Sequence, residues 1–526
     1  MSTRGRGRRL RVSVVAANAG ESAGTPPHEA LEQGLYGRVA RSGRETAGHP
    51  PDMPPVRLPS IAESTFELPR SGADSATRSD LPIALGHRYG LLALSAVALA
   101  LLAGSPHILA FILLTVATSH GALTLTEHAL QHAAAPERLR HWAIRGNWTI
   151  WTVSFVILEL TGAVGTLTGN SASLIDQWAV TLGLPFYVLS MAAVNADVLG
   201  RKIPKPEFSL YLLYVTYFPK FLSGPIERPA FLAVLENFRF TIDWSRFDRG
   251  ARWLLLGAFY KFIVGRLLAR FYFPEVADDT LTLSIGIIAF ELRVYFDLCG
   301  YSLMAYGISL MLGPQLTLNF NHPFFAGNVR DFWRAWHISL GRWFHQYVYE
   351  PFRASSVGAR WAKYAPLCVF LVSAAWHGIT PNFLLWGLFH AGAFLLYANV
   401  LRRYQWPKLV GWMAFFAVLL FGRLLFMDDD LPRLLTKFGT LIDPWQWTAI
   451  IGSPTETMHR LLQLAPSGTW QMLIAGIGFV LFTEWQNVQR KLPAYSLFFG
   501  WRMVVVIAAI LLMASNGSEG MIYARQ

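Results

Sequence analysis

The residue best suited to chemistry in this sequence is His377, which stands between two apolar runs. It follows VFLVSAAW and precedes Gly378 and Pro381, and a second apolar run begins at Phe383. Histidine takes up and releases protons near neutral pH because its unperturbed pKa is about 6.5. An ionisable side chain at membrane depth is costly, which favours a functional role. From position alone, a hydrogen bond to a neighbouring helix is the alternative.

A second candidate is His337, in the string DFWRAWHISLGRWFHQYVYEPF. Large apolar residues recur there at helical spacing: Trp336, Leu340, Trp343 and Tyr347. The pattern predicts one amphipathic helix at the membrane interface, with Asp331 as its N-cap and Pro351 just past its end. That helix could be only an aromatic anchor, and His337 only a surface residue. The spacing alone does not bring His337 and His377 together.

Two further tracts carry polar or helix-breaking residues among apolar ones. The tract LTLSIGIIAFELRVYFDLCGYSLMAYGISLMLG contains Glu291, Arg293 and Asp297. The i, i+4 spacing of the last two predicts an ion pair on one helix face. In YFPKFLSGPIERP, Pro219 and Gly224 interrupt an apolar stretch, which predicts a broken or re-entrant helix. Membranes tolerate such breaks where they line a cavity.

The elements that must position these residues are membrane helices. Of 526 residues, 53% are hydrophobic and 15% are charged, which is typical of a membrane protein. Apolar stretches recur from residue 88 to residue 515. Because about 20 residues cross a bilayer, we expect roughly ten to twelve membrane segments, with broken or re-entrant helices among them. The predicted fold class is an all-α, polytopic helical membrane protein.

Charge and cysteine content exclude several other classes. The net charge is +12, but the basic residues are scattered in short connections between apolar stretches, so membrane topology explains them and no nucleic-acid partner is expected. Cys299 and Cys368 lie in apolar surroundings, without disulfide or metal spacing. The sequence has no P-loop and no HExxH motif. We therefore expect no metal and no bound cofactor.

The chain divides into two parts. Residues 1–80 are Arg-rich at the start, then rich in Gly, Ser and Pro without periodicity, which predicts a disordered basic and polar tail. Residues 81–526 form the predicted membrane domain. The basic N-terminus favours a cytoplasmic start in a multi-pass protein. A twin-arginine signal at Arg8 and Arg9, or a true start at Met53, are alternatives.

Four strings together resemble the membrane-bound O-acyltransferase (MBOAT) family, especially its bacterial branch of alginate O-acetylases and D-alanyl-transfer proteins. They are YFPKFLSGPIERP, YFDLCGYSLMAYGISLMLG, NFNHPFFAGNVRDFWRAWHISLGRWF and WHGITPNFLLWGLFHAG. The resemblance implies a central tunnel, with His377 and His337 on the family's two histidine positions. It implies that His377 deprotonates or assists an attacking hydroxyl and that His337 positions or polarises a reactant. Trp336, Trp376 and Asn382 would then shape the substrate cavity.

The resemblance also implies a reaction and its partners. The expected enzyme is an O-acyltransferase in the bacterial inner membrane that moves an acetyl group from acetyl-CoA, or from another acyl thioester. The expected acceptor is a hydroxyl of a cell-envelope or exported polysaccharide. Further expected partners are an acyl-CoA or acyl-carrier donor, the lipid bilayer, and a periplasmic or extracellular acyl-relay protein.

Two alternative functions stay open. One is D-alanyl or fatty-acyl transfer to teichoic acid, lipid or protein, which keeps the fold and changes donor and acceptor. The other is a proton-coupled transporter or flippase, in which the two histidines relay protons and Arg293 and Asp297 form a gating pair. Carriers of that kind often show inverted repeats, and we find none in the sequence.

Overall fold

The computed structural model describes residues 81–103, 106–167, 184–269, 271, 279–428, 430–464 and 468–513. These residues form helices joined by loops, and no strand occurs among them. The predicted all-α class is therefore confirmed. The predicted disordered tail, including Arg8, Arg9 and Met53, lies outside the described residues.

Helices follow one another along the whole described chain. The first group is α1 (Leu81–Ala103), α2 (Pro106–His132), α3 (Pro136–Leu167), α4 (Leu184–Leu199), α5 (Phe208–Thr216), α6 (Phe218–Phe221), α7 (Phe231–Glu236), α8 (Trp244–Ala258) and α9 (Arg266–Ala269). The middle group is α10 (Thr280–Leu312), α11 (Val329–Ala335), α12 (Ile338–Phe344), α13 (Glu350–Ala354), α14 (Ser356–Arg360), α15 (Ala365–His377), α16 (Pro381–Asn399) and α17 (Lys408–Phe426). The last group is α18 (Leu431–Ile442), α19 (Pro444–Gly452), α20 (Pro454–Gln463), α21 (Thr469–Gln489) and α22 (Arg502–Met513).

Two π-helical stretches connect some of these helices directly. Phe259–Gly265 joins α8 to α9, and His345–Tyr349 joins α12 to α13. Short 3₁₀ turns occupy Pro323–Phe325, Ala362–Tyr364, Leu401–Arg403 and Ser496–Phe499.

Several of the helices are apolar enough to lie within a bilayer. By length and hydropathy, three in the described part of the chain can cross a membrane: Pro106–His132, Pro381–Arg403 and Lys408–Phe426. Shorter apolar helices cover Gly86–Leu102, Pro185–Leu199 and Arg502–Leu512. These findings support a helical membrane protein, and the expected number of segments stays a prediction.

Glycines allow α8 and α10 to pack with their backbones in close contact. A Cβ atom at Gly257 would lie 2.5 Å from the carbonyl oxygen of Gly300, and one at Gly250 would lie 2.6 Å from that of Gly307. Real Cβ atoms do not approach that closely, so each of these positions requires glycine. Small residues permit this kind of approach between membrane helices. The contact fixes α10, which carries buried charged side chains, against its neighbour.

The prediction of an ion pair between Arg293 and Asp297 within α10 is wrong. Asp297 pairs instead with Lys261, which lies in the π-helical stretch after α8. A Cβ atom at Gly300 would lie 2.8 Å from the backbone nitrogen of Lys261. The close approach of the two helices therefore brings the lysine to the carboxylate. The sequence spacing of Arg293 and Asp297 could not reveal a partner supplied by another helix.

The prediction of a broken helix in YFPKFLSGPIERP is confirmed. Helix α5 ends at Thr216, one further turn covers Phe218–Phe221, and the chain then runs without helix to α7. The N–H of Ile226 donates to Oγ of Ser339 in α12, at 2.9 Å. The segment is thus bonded to α12. Its residues do not line the cavity described below.

Candidate functional site

The string around His337 forms two short helices, α11 and α12, rather than the single helix predicted. Between them, Trp336 has an extended backbone with φ −104° and ψ 127°, and His337 has φ 43° and ψ 55°. The N-cap of α11 is Asn328, whose side chain accepts the N–H of Asp331 at 3.0 Å. Pro351 lies in the first turn of α13. The helix boundaries that we predicted, Asp331 and Pro351, are therefore wrong.

Backbone hydrogen bonds from the segment after α10 hold this break open. The N–H of Ile338 donates to the carbonyl of Asn319 at 2.8 Å. The N–H of Ser339 donates to the side-chain oxygen of Asn319 at 3.1 Å. The N–H of Asn321 donates to the carbonyl of Ala335 at 2.9 Å. These bonds satisfy backbone groups that a helix end leaves unpaired. Tertiary pairing thus overrides the helical pattern.

The imidazole of His337 is packed against aromatic rings. It stacks on Phe186 with 6.1 Å between ring centroids and lies 6.2 Å from Phe320. Its side chain is buried, and Nδ1 has no hydrogen-bond partner within the described ranges. The ring is therefore held by packing and by the backbone rather than by a polar partner on Nδ1.

His377 ends α15, and Gly378 follows directly. Its ring lies 4.9 Å from that of Phe426 and 5.4 Å from that of Trp386, nearly perpendicular to both. No hydrogen bond to either ring nitrogen occurs among the residues that the structure describes. A half-buried imidazole whose ring nitrogens have no competing partner is available to accept a proton from a bound hydroxyl.

Both histidines line one cavity of about 770 Å³. Its wall comes mainly from α11, α12, α15, α16 and α17, so the fold joins two motifs that are distant in sequence. Trp336 also lines the cavity, as the resemblance implied. The continuation of this cavity as a tunnel stays a prediction.

Two other predicted substrate-binding residues are not in the cavity wall. Trp376 packs its ring edge-on against Phe186 and next to His377, at centroid distances of 5.7 and 4.8 Å. Asn382 is fully buried, and its amide donates to the carbonyl of Leu425 at 3.4 Å. Their contacts brace the site from outside. A direct substrate contact for Trp376 or Asn382 therefore finds no support in their positions.

The cavity also contains His390 and Arg423, which we did not single out from the sequence. His390 is buried and lies perpendicular to Trp333, with 5.2 Å between ring centroids. A Cβ atom at position 422 would lie 2.2 Å from Nε2 of His390, so Gly422 leaves room for the imidazole. Wall residues of α16 and the turn after it recur every fourth position: Trp386, His390, Phe394, Ala398 and Arg402. That spacing is the signal that could have found His390.

The charged residues in the cavity wall are all basic. Five of them are exposed, and we call the part of the wall that they form the mouth: Arg330, Arg334, Arg342, Lys363 and Arg402. No aspartate or glutamate belongs to the described wall. Among all the residues that the structure describes, no group of three or more His, Cys, Asp or Glu side chains could hold a metal ion. The arrangement favours an anionic ligand at the mouth and an apolar reaction space inside.

Comparisons with known proteins agree on one family. The profile of the MBOAT, membrane-bound O-acyltransferase family, matches residues 131–427. The chain is 28% identical to the probable alginate O-acetylase AlgI of Azotobacter vinelandii over 304 residues, covering 55% of this chain and 59% of the relative. It is 30% identical to the peptidoglycan O-acetyltransferase of Helicobacter pylori over 263 residues, covering 46% and 49%.

A third relative is named for a different activity. The teichoic acid D-alanyltransferase of Bacillus subtilis is 27% identical over 225 residues, covering 40% of this chain and 57% of the relative. The matched region spans about three fifths of the length of the alginate relatives, at 59% and 61% for two of them. The family profile covers more than half of the 526 residues and includes His337 and His377. The chain therefore belongs to the membrane-bound O-acyltransferase family.

Proposed function

We propose that this chain is a membrane O-acyltransferase that moves an acyl group, acetyl in the first instance, from a thioester donor to a hydroxyl of a cell-envelope or exported polysaccharide. The observation that carries the proposal is the shared cavity: His337 and His377 meet in an aromatic, largely apolar space with a basic mouth. Family membership supports acyl transfer over the alternative of a transporter.

The reaction needs a base and a route for one proton. His377 accepts the proton of the acceptor hydroxyl as its oxygen attacks the thioester carbonyl carbon. The new C–O bond forms, the C–S bond breaks, and the thiolate takes the proton back from the imidazolium. Ester and free thiol are the products, so atoms and charges balance without a covalent acyl-enzyme. A general base of this kind typically contributes about 10²–10⁴-fold in rate.

His337 serves as the positioning group in this proposal. Its backbone is fixed by Asn319 and Asn321, which form the hydrogen bonds that hold the break between α11 and α12. Its ring is clamped by Phe186 and Phe320. A side chain held this firmly can orient or polarise the thioester, because preorganised groups lose little freedom when the reaction proceeds.

The basic mouth supports a donor that carries phosphate groups. Acetyl-CoA carries several, and Arg330, Arg334 and Arg402 are placed to attract them. Arginine matches phosphate well because its guanidinium donates from a rigid fork. A carrier protein with a phosphopantetheine arm offers one phosphate and is the alternative donor. On this proposal the mouth faces the cytoplasm of a bacterial cell, and no bound cofactor is required.

The acceptor is proposed from the relatives. Two of those compared are named for O-acetylation of alginate or peptidoglycan, which supports a glycan hydroxyl on the far side of the inner membrane. A periplasmic or extracellular relay protein could pass the acyl group on. The second candidate, D-alanyl transfer, is supported by the relative named for teichoic acid.

Mass spectrometry of envelope polysaccharides from cells with and without the gene tests the proposal. We expect one ester to disappear with the gene and to return with the wild-type copy. Purified protein reconstituted in vesicles should also release free thiol from acetyl-CoA when the responsible glycan is added. Unchanged glycans together with transfer from a D-alanyl carrier protein would favour the second candidate. Unchanged glycans and no transfer from either donor would contradict both.

A further inference from the structure

A buried arginine, Arg423, lines the same cavity as His337 and His377. It belongs to α17, is only 8% exposed and lines the cavity. Its guanidinium carbon lies 5.9 Å from the ring of Trp336, the residue before His337. It lies 5.1 Å from the ring of Phe426, which in turn contacts His377. Arg423 therefore borders both halves of the site.

The hydrogen bond that Arg423 makes leaves the two terminal nitrogens of its guanidinium available. Nε donates to the carboxylate of Glu291, a fully buried residue of α10. No hydrogen bond from the two terminal nitrogens occurs among the described residues, although a guanidinium carries five N–H donors. A buried arginine anchored at Nε presents its remaining donors in a fixed direction.

The charge of the pair indicates what those donors bind. Arg423 and Glu291 together are formally neutral, so a ligand with a permanent negative charge would leave one excess charge buried, which is unfavourable. A charge that develops only during reaction is stabilised by such a fixed dipole without reorganisation. In thioester chemistry that charge is the carbonyl oxygen of the tetrahedral intermediate.

We propose that Arg423 is a catalytic residue that donates hydrogen bonds from its terminal nitrogens to the thioester oxyanion, with Glu291 as the residue that positions it. This inference rests on the proposed acyl transfer. As the acceptor oxygen attacks, the carbonyl π electrons move to oxygen and the guanidinium holds the resulting oxyanion. The electrons return as the C–S bond breaks, and the proton on His377 passes to the thiolate.

Two analogues of the donor that cannot transfer an acyl group distinguish oxyanion binding by Arg423 from a purely structural role. The trifluoromethyl ketone analogue of acetyl-CoA adds water or a hydroxyl and becomes tetrahedral, whereas the methyl ketone analogue stays trigonal. The variant Arg423→Lys keeps a positive charge opposite Glu291. We expect it to lose about 100-fold in affinity for the trifluoromethyl ketone, because loss of one oxyanion donor typically costs 10²–10³-fold. Its affinity for the methyl ketone should fall by less than about threefold, because that analogue forms no oxyanion. Turnover should fall with little change in KM.

Matched variants guard against misfolding. The double variant Glu291→Leu with Arg423→Met leaves no unpaired buried charge and should show the same selective loss. Arg88 is also buried and ion-paired, with Glu207 at 2.9 Å, but it does not line the cavity, so Arg88→Met should bind both analogues as the wild type does. Equal losses for both analogues, or no loss, would overturn the role of Arg423. If the wild-type protein binds neither analogue and transfers no acyl group, the proposed thioester donor fails and this inference fails with it.

Discussion

At the scale of the residue, the backbone of His337 is the most constrained feature of the site. A non-glycine residue with φ 43° is held in a conformation that typically costs about 1–3 kcal/mol. Asn319 secures it by accepting the N–H groups of Ile338 and Ser339. The strain turns the chain sharply, so that the ring of His337 faces the cavity that also contains His377. The rest of the fold must stabilise this turn.

Replacing Asn319 with alanine should therefore disturb the position of His337. The N–H of Ser339 loses its buried partner, which we expect to lower stability by about 1–3 kcal/mol. The turnover number should fall by about tenfold or more, because misplacement of a catalytic group has large effects on rate. Thermal unfolding and steady-state acyl transfer measure the two effects. The exposed Asn237 bonds only within its own helix end, so Asn237→Ala is the control. An Asn319→Ala protein with full turnover would show that the turn is not needed to place His337.

The sequence identified the site at this scale only in part. His377 stands out because it is ionisable within an apolar run, and His337 because of the string around it. Arg423 is also a lone charge in an apolar helix, and the same reasoning would have selected it. Its pairing with Glu291 of α10 could not be predicted, because no local spacing links two helices that are this distant in the chain. The family resemblance implied that Trp376 and Asn382 shape the cavity, and neither residue lines it.

At the scale of the element, the contact between α8 and α10 should tolerate no added side chain. A Cβ at Gly300 would lie 2.8 Å from the carbonyl oxygen of Gly257, so Gly300→Ala should force the helices apart and lower stability by about 1–3 kcal/mol. Gly392 lies in α16 with nothing within 4 Å of a Cβ, so Gly392→Ala should be neutral or stabilising. Thermal unfolding in detergent compares them. Equal melting temperatures for the two variants would contradict the close contact.

The turn between α17 and α18 carries a pH-dependent contact. Burial alone would raise the pKa of the Asp428 carboxyl, but hydrogen bonds from Arg433 and Lys437 and the charge of Lys437 outweigh it and lower the pKa. A lowered pKa means that the carboxylate stabilises the fold above the unfolded value of about 3.9, and that this contribution is lost as pH falls through the folded value.

Asp428→Asn should therefore lower stability at pH 7 by about 1–3 kcal/mol, less than for a fully buried pair because Arg433 is partly exposed. As pH falls below about 4 and on through the lowered pKa of the folded state, the difference between variant and wild type should shrink, since Asp428 becomes protonated first in the unfolded state and then in both. Melting temperatures across that range measure it, with the exposed Asp248→Asn as control. A difference that persists unchanged in acid would show that charge is not the cause.

Element types were predictable where composition decides them, whereas breaks set by tertiary contacts were not. Pro219 and Gly224 predict the break after α5, because proline and glycine interrupt a helix locally. The break at Trp336 and His337 has no such local signal, since aromatic residues continue there at helical spacing. It depends on hydrogen bonds to Asn319 and Asn321, which lie in a different segment.

At the scale of the whole molecule, the basic mouth of the cavity should select the donor. Arg402 lines the cavity and its neighbour Arg403 does not, although both are exposed. Arg402→Gln should raise KM for acetyl-CoA several-fold, with a smaller effect at high salt because exposed charges are screened. Arg403→Gln is the matched control. Acetyl-pantetheine, which has no phosphate, should bind both variants equally, and an equal loss with that donor would contradict phosphate recognition.

The central claim is that His377 is the base for acyl transfer in a cavity shared with His337. Its most direct test is the rate of acyl transfer by purified His377→Ala protein in membranes, with melting temperature as the measure of folding. We predict a loss of about 10²–10⁴-fold in rate with an unchanged melting temperature. A folded His377→Ala protein that transfers acyl groups at the wild-type rate would contradict the account.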